Sequence, residues 1–253
     1  MQYLTPQLTQ EVIGRLKVFE NELCEVFNRY GYDLRDNLGR RNQLVSQAQE
    51  KEFARSLRTI YKEVVEDGAP GKPDIYIVDI DKELECKLSS GSGKSKTFSL
   101  QTDWVTLENK KELDYLYLLT TPDFEGFCAL LFRGLTTDDF YPPASGSRGK
   151  ARMNKSVAMK KCEVLHGRVI NKKSLMIQKW GIRKGMTEIA KNKKIEELQK
   201  ELHESDNTAR KEKIVEMIIS ESRRYNKKID KFHQNVLSWL SKDDEFSFEF
   251  HKV

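Results

Sequence analysis

The segment from residue 73 to residue 88 constrains the fold of this chain more than any other. Ile75–Val78 is an apolar run of β-forming residues, residues 79–82 have the composition of a turn, and Leu84–Leu88 resumes an extended segment. This pattern predicts a β-hairpin, with Asp74 at the start of its first strand. Side chains alternate across a strand, so the second strand is predicted to have two different faces. The charged face carries Glu83, Glu85 and Lys87, and the apolar face, directed at the core, carries Leu84, Cys86 and Leu88.

The charged face carries the residue types that phosphodiester hydrolysis requires. That reaction needs a hard divalent cation, oxygen ligands and an activated water, and Mg²⁺ takes only one or two protein carboxylates. Asp74 and Glu85 supply carboxylates, and a backbone carbonyl near Cys86 completes the predicted metal ligands. Lys87 is predicted to orient the attacking water or to offset charge on the phosphate. An exposed hairpin with solvated charges is the alternative.

These residues give the chain a resemblance to a known family. Pro73-Asp74 and Glu85-Cys86-Lys87 resemble the two elements of the PD-(D/E)XK nuclease superfamily and, within it, of the type II restriction endonucleases. The similarity covers roughly residues 45 to 135. In such nucleases the helix before the first element often adds an acid to the metal site. Glu50 and Glu52 are the candidates here, and Glu52 is preferred.

The resemblance also implies a fold, a cofactor and partners. The fold is α/β, with a mixed central β-sheet flanked by helices in a restriction-endonuclease-like core. The cofactor is Mg²⁺ and the substrate is double-stranded DNA. A restriction enzyme further implies a cognate DNA methyltransferase in the same cell.

A loop rich in serine and lysine follows the second strand. Residues 89–96 read SSGSGKSK, and a phosphate-binding P-loop is excluded because its first glycine would fall on Leu88. The composition instead predicts contacts with a phosphate backbone through Ser92, Lys94 or Lys96. A loop without function is the alternative.

Positive charge is concentrated in one segment of the chain. The formal net charge is only +5, but residues 148–194 contain 15 Lys and Arg residues and two acidic residues, Glu163 and Glu188. The rest of the chain is therefore net acidic. Such a distribution is typical of a protein that binds a polyanion.

The stretch 139–155, DFYPPASGSRGKARMNK, overlaps the start of this basic segment. Its Pro, Gly and Ser content predicts an irregular loop. Arginine pairs with guanine and asparagine with adenine, whereas lysine suits phosphates. The loop therefore predicts base reading by Arg148, Arg152 and Asn154, and phosphate contacts by Lys150 and Lys155. Nonspecific charge on a solvated loop is the alternative.

Helices and further strands are predicted around the hairpin. Apolar spacing over residues 7–30 predicts a helix that ends at Gly31, and residues 44–64 predict a second helix. Two apolar segments, Leu113–Thr120 and Phe127–Phe132, predict internal strands. Helices packed against a mixed sheet would form an α/β layered core.

The C-terminal part is predicted to be a helical hairpin. Helix-forming residues run from about 187 to 242 and are interrupted at Asp206 or Asn207. The narrow apolar stripes need a partner surface, either the catalytic core or a second copy of the chain: Ile195, Leu198, Leu202, Ile214, Met217, Ile229 and Phe232. The predicted domains are a nuclease core at 1–187, with its recognition segment at about 139–187, and a helical extension at 188–253.

Composition excludes several other classes of protein. Hydrophobic residues are 38% and charged residues 33% of the chain. No apolar run reaches the length of a membrane span and the first residues lack a basic, apolar leader, so a cytoplasmic protein without membrane contact is expected. The cysteines are widely spaced and the histidines share no metal-ligand spacing, which argues against a zinc site or a disulfide framework.

The combined pattern predicts a type II restriction endonuclease that cuts both strands of duplex DNA with Mg²⁺. A homodimer with one active site per strand is expected, because twofold symmetry matches a palindromic site. A repair or recombination nuclease of the same superfamily is the first alternative. A DNA-binding regulator without catalysis is the second, but it leaves the shared face of Glu83, Glu85 and Lys87 unexplained.

Overall fold

The computed structural model describes residues 3–67, 69, 72–91, 98, 100–144 and 149–253. They form two compact units. The first unit comprises the chain up to Ile170 together with Phe246–Val253, and the second unit is Asn171–Glu245. This boundary lies before the one predicted after residue 187. That prediction placed the start of the helix-forming run at about residue 187, whereas the first helix of the second unit begins at Lys172.

Six α-helices and twelve strands occur in the described residues. The helices are α1 Pro6–Arg29, α2 Leu38–Leu57, α3 Trp104–Lys110, α4 Lys155–Ala158, α5 Lys172–Glu204 and α6 Thr208–Leu240. The strands are β1 Val64–Glu66, β2 Ile75–Ile77, β3 Lys82–Ser90, β4 Gln101–Asp103, β5 Leu113–Thr120, β6 Gly126–Leu135, β7 Phe140–Tyr141, β8 Lys150–Met153, β9 Cys162–His166, β10 Arg168–Asn171, β11 Phe246–Glu249 and β12 His251–Lys252. The chain is therefore an α/β protein.

The first two helices follow the predicted apolar periodicity, but the second ends earlier than expected. Thr5 caps α1 by accepting a hydrogen bond from the N–H of Leu8 at 3.2 Å, and Gly31, with a φ of 78°, follows its C-terminus. The prediction of a second helix up to Val64 is wrong, because α2 ends at Leu57. Val64 instead begins β1 and pairs with β2, so sheet pairing overrides its helical spacing.

Within the described residues, seven strands form the central sheet. Its order is β1-β2-β3-β5-β6-β12, and β9 also pairs with β6. β3 and β5 run parallel, with β4 and α3 in the chain between them, whereas the other neighbours are antiparallel. The sheet is therefore mixed. Every residue of β5 is buried, which confirms the prediction of an internal strand.

An apolar core lies on each face of this sheet. Alternate residues of β5 contribute to different cores, because side chains alternate across a strand. Leu116 and Leu118 pack in the core that includes residues of α1 and α2. Tyr115 and Tyr117 belong to the second core, to which β7 and β8 also contribute.

A three-stranded antiparallel sheet in the order β4-β8-β7 packs on the second core. The prediction of an irregular loop over 139–155 is therefore wrong where the described residues form β7, β8 and the first residue of α4. Burial alternates along β8, but over only four residues. Such a short period-two signal is easily hidden by neighbouring Pro, Gly and Ser residues.

The second unit is a helical hairpin of α5 and α6, each 33 residues long. The break between Glu204 and Thr208 confirms the interruption predicted at Asp206 or Asn207. Trp180 stacks on Phe232 with ring centroids 5.7 Å apart. Contacts between the start of α5 and the end of α6 show that the helices are antiparallel neighbours.

Most of the predicted apolar stripe is covered inside this helical hairpin. Leu198 and Ile214 are each 2% exposed, whereas Met217 is 43% exposed. The remaining stripe residues are half-buried: Ile195, Leu202, Ile229 and Phe232. The two helices therefore cover much of each other's stripe. In the part of the chain that the structure describes, no helix is both long and apolar enough to cross a membrane.

Candidate active site

The predicted β-hairpin forms from β2 and β3 and is called the motif hairpin below. The two strands pair antiparallel, with Ile75 opposite Leu84. Their turn contains Asp81 at a φ of 50°, a left-handed conformation that aspartate tolerates better than most residues. The Tyr76 hydroxyl donates to the Asp81 carboxylate at 2.8 Å and ties the turn to the strand. Asp74, just before β2, therefore lies beside β3.

Asp74, Glu85 and Lys87 converge at the open end of the motif hairpin. The N–H of Cys86 donates to Asp74 Oδ2 at 2.7 Å. Lys87 Nζ donates to Glu85 Oε2 at 2.7 Å and lies 3.9 Å from Asp74 Oδ2. A backbone donor and a cation thus hold two carboxylates together. The structure brings the three predicted catalytic side chains into one cluster.

The two faces of β3 agree with the predicted alternation. Leu84 and Cys86 are buried in the first core, and Glu85 is the register partner of Tyr115 on β5. Glu83 shares the charged face, but its carboxylate accepts a hydrogen bond from Lys110 Nζ at 2.6 Å. Glu83 is therefore engaged outside the cluster.

Burial and neighbouring charges tune the ionisation of this cluster. Glu85 is 8% exposed, and burial raises its pKa, an effect that Lys87 opposes and Asp74 reinforces. Burial lowers the pKa of Lys87, but the carboxylates of Glu85 and Asp74 outweigh that effect, so its net shift is upward. Lys87 is therefore a cation at neutral pH and balances part of the negative charge.

Glu50 of α2, and not Glu52, joins the cluster electrostatically. Burial raises the pKa of Glu50 to about 7, and the Asp74 carboxylate adds to this shift while Lys87 opposes it. Glu52 instead accepts a hydrogen bond from Arg15 Nε on α1. Glu50 is thus the acid of α2 that interacts with the cluster, whereas Glu52 is engaged with α1. A metal-ligand role for an acid of this helix stays a prediction.

The helical period does not separate the two residues. Glu50 precedes the buried residues Ala54 and Leu57 by four and seven positions, but Glu52 likewise follows the buried Val45 by seven positions and precedes the buried Ser56 by four. The side chain of Glu52 reaches α1. Sequence spacing alone therefore leaves both residues as candidates.

The raised pKa of Glu50 predicts a stability effect that depends on pH. Glu50→Gln should raise the free energy of unfolding of the metal-free protein, by more at about pH 8 than at about pH 5. Because the folded state holds the Glu50 proton more tightly than the unfolded state, the wild type is stabilised at low pH. It loses this contribution as the pH rises from 4.5 towards about 7.

Urea unfolding in EDTA at the two pH values measures this effect. Glu52→Gln is the matched control, two residues away on the same helix. It replaces the charged acceptor of Arg15 with a neutral amide oxygen, which weakens this contact, so it should lower the free energy of unfolding instead of raising it. An equal effect of Glu50→Gln at both pH values would contradict a buried carboxyl group at this position.

The donors of the cluster fit a hard divalent cation held by few protein ligands. Carboxylate oxygens are the ligands that Mg²⁺ prefers, and Asp74 and Glu85 provide them. Among the described residues, no three His, Cys, Asp or Glu side chains form a metal-binding group. With two protein carboxylates as ligands, a cation here would keep several of its water ligands, as Mg²⁺ commonly does in proteins.

Cys86 contributes no thiol ligand to the cluster. It is 4% exposed within the first core. Burial raises the pKa of its thiol well above the ordinary value, and the carboxylate of Asp74 adds to that shift. A role for the backbone carbonyl near Cys86 stays a prediction.

Comparison with known proteins adds no relative. No protein-family model matches the chain, and no curated protein matches it either. What the chain does is therefore inferred from the geometry of Asp74, Glu85 and Lys87.

The residues predicted to contact DNA fall into three groups. Four of them lie outside the described residues: Ser92, Lys94, Lys96 and Arg148. Lys150 and Arg152 are exposed on β8. Asn154 and Lys155 are half-buried where the chain enters α4. The described residues that the sequence assigned to the 139–155 loop thus lie on β8 and at the start of α4.

Lys155 is engaged within the protein. Its Nζ donates to the backbone carbonyl of Phe98 at 2.6 Å and lies 5.6 Å from the ring centroid of Phe248. Burial lowers its pKa, and Arg152 adds to this shift. A contact with phosphate, as predicted from the sequence, would require Lys155 to leave both partners. Nothing in the local sequence indicates that this lysine packs inward.

Proposed function

We propose that the chain is an Mg²⁺-dependent endonuclease that cuts both strands of duplex DNA at a short sequence, as type II restriction enzymes do. The observation that carries the proposal is the convergence of Asp74, Glu85 and Lys87 on paired strands. A solvated surface ion pair would need no buried carboxylate, whereas Glu85 is 8% exposed. The mixed sheet with helices against it agrees with the restriction-endonuclease-like core that the motif implies.

Each residue of the cluster has a role that follows from its position. Asp74 and Glu85 would hold Mg²⁺, which supplies Lewis-acid polarisation of the phosphate and an activated water. The N–H of Cys86 fixes the Asp74 carboxylate in advance, so little rearrangement is needed when substrate binds. Lys87, kept cationic by its two carboxylate neighbours, would orient the water and offset charge developing on the phosphate oxygens.

The proposal extends to partners and cellular setting. Cutting both strands of a palindromic site is most simply achieved by a homodimer with one active site per strand. The dimer is proposed on this symmetry and not on the apolar stripes of α5 and α6, since these helices cover much of each other. A cognate DNA methyltransferase would protect the host DNA, and the enzyme would act in the cytoplasm.

Incubation of the purified protein with a long plasmid of mixed sequence tests the proposal. With Mg²⁺ the plasmid should be cut into discrete fragments, and EDTA should prevent cutting because the cation is removed. A smear would indicate a nuclease without sequence specificity, such as a repair or recombination enzyme. Binding without cleavage would indicate a DNA-binding regulator. Either of these results would contradict the proposed function.

A further inference from the structure

The small sheet of β4, β8 and β7 has one buried face and one exposed face. The buried side chains are Thr102, Phe140, Ala151 and Met153. The exposed side chains are Gln101, Asp103, Tyr141, Lys150 and Arg152. The outer face of these three strands therefore consists of charged, amide and phenol groups, without an aliphatic side chain.

Three of the exposed side chains form a row across the strands. Arg152 is the register partner of Gln101 on one side and of Tyr141 on the other. Neighbouring strands lie about 4.8 Å apart, so the row spans roughly 10 Å, or about three base pairs along a duplex. Within the described residues, no hydrogen bond or ion pair engages the guanidinium of Arg152.

Hydrogen bonds connect β4 of the small sheet to β5, the strand next to β3 in the central sheet. The hydroxyls of Thr102 and Tyr115 lie 2.7 Å apart, and the Tyr117 hydroxyl donates to the backbone carbonyl of Gln101 at 2.9 Å. Tyr115 is in turn the register partner of Glu85. These contacts thus join the small sheet to β5, which pairs with the strand that carries Glu85 and Lys87.

The chemistry of the outer face matches the edges of DNA bases. The arginine fork pairs with O6 and N7 of guanine, and the glutamine amide pairs with N6 and N7 of adenine. Lys150, on the same face as Arg152, suits the adjacent phosphates. Asp103 Oδ1 accepts hydrogen bonds from the N–H and the hydroxyl of Thr106, at 2.9 and 3.0 Å. The other exposed side chains of this face are cationic or neutral: Gln101, Tyr141, Lys150 and Arg152.

We propose that the outer face of the β4-β8-β7 sheet reads base edges in the major groove of duplex DNA. Arg152 and Gln101 are its specificity-determining residues, and a β-ribbon of this kind fits the major groove. The proposal rests on the proposed function for its ligand, duplex DNA, but it does not require cleavage. The base-reading residues would then lie on an ordered sheet and not on the irregular loop predicted from the sequence, and Gln101 would be one of them.

Selection of bound duplexes from a random-sequence library, with wild-type protein in EDTA, tests this inference. The wild type should enrich a defined sequence. Arg152→Ala should lose the preference for one base pair of that sequence by roughly 10-fold to 100-fold, and Gln101→Ala should relax a neighbouring pair. Arg152→Lys keeps the charge but lacks the fork, so it should lose the same preference while still binding random duplexes.

Arg168→Ala is the matched control, because Arg168 is also an exposed arginine on a short strand, with its side chain 70% exposed. It should keep the wild-type sequence preference. An unchanged preference in Arg152→Ala and Gln101→Ala would overturn the inference, and so would a wild-type protein that enriches no sequence. A protein that selects a sequence through Arg152 but does not cut plasmid with Mg²⁺ would keep this inference and remove the proposed endonuclease.

Discussion

Asp74→Asn and Glu85→Gln are each expected to reduce Mg²⁺-dependent cleavage by about 100-fold or more while leaving duplex binding close to wild type. Each substitution keeps the size of the side chain but removes a negative charge from the oxygens that would hold the cation. Glu85→Gln also weakens the contact that orients Lys87, at present a 2.7 Å hydrogen bond. The basic and base-reading residues are unchanged. Cleavage assays should therefore show a large loss of activity, whereas gel shifts on the same plasmid fragments should show binding close to wild type.

Glu83→Gln is the matched control for this prediction. Glu83 lies on the same strand and the same face as Glu85, but its carboxylate is bound to Lys110 at 2.6 Å. The variant should cut within a few-fold of the wild-type rate. Wild-type cleavage by Asp74→Asn or Glu85→Gln would show that the cluster is not the active site. Equal losses in Glu83→Gln and Glu85→Gln would point to a general effect of charge on DNA binding.

Glu20→Gln is expected to cause the largest loss of stability, about 3–5 kcal/mol in the free energy of unfolding. The Glu20 side chain has no exposed surface and binds Arg35 through both carboxylate oxygens, at 3.0 and 2.7 Å. Arg41, which also has no exposed side-chain surface, lies 3.6 Å from the same carboxylate. The neutral amide would leave the guanidinium of Arg41 buried without its charge partner.

Loss of the Glu20 charge should also weaken the contacts that Arg41 makes between α2 and the central sheet. Arg41 donates to Ser90 Oγ at 2.6 Å, at the last residue of β3, and to the carbonyl of Pro122 after β5. Urea unfolding measures the loss, and the melting temperature should fall by about 10 °C. Glu22→Gln, an exposed position on the same helix, is the control and should be close to neutral. A loss of less than about 1 kcal/mol for Glu20→Gln would contradict a buried ion pair.

The motif hairpin could be predicted because the information for it is local. Apolar and charged residues alternate between Glu83 and Leu88, and one turn separates them from the preceding apolar run. A strand must present such a pattern with its apolar residues on one face. Asp74, Glu85 and Lys87 are then neighbours whatever the rest of the chain does. The helical period of residues 7–30 was predictable for the same reason.

Only the tertiary structure decided which distant residues join these elements. The choice between Glu50 and Glu52 depends on how α2 is rotated against the sheet, a consequence of packing over its whole length. Lys155 turns inward because Phe98 and Phe248, far from it in the sequence, lie beside it.

The β4-β8-β7 sheet is the clearest example of this division. It pairs Gln101–Asp103 with Lys150–Met153, two segments too short to carry a periodic signal. The sequence by itself specified that Arg152 is a base-reading residue type and that Asp74, Glu85 and Lys87 share a hairpin. The pairing of distant strands decided that Gln101, Arg152 and Tyr141 form one row. Such pairing depends on the side chains that both segments bury together and not on either segment alone.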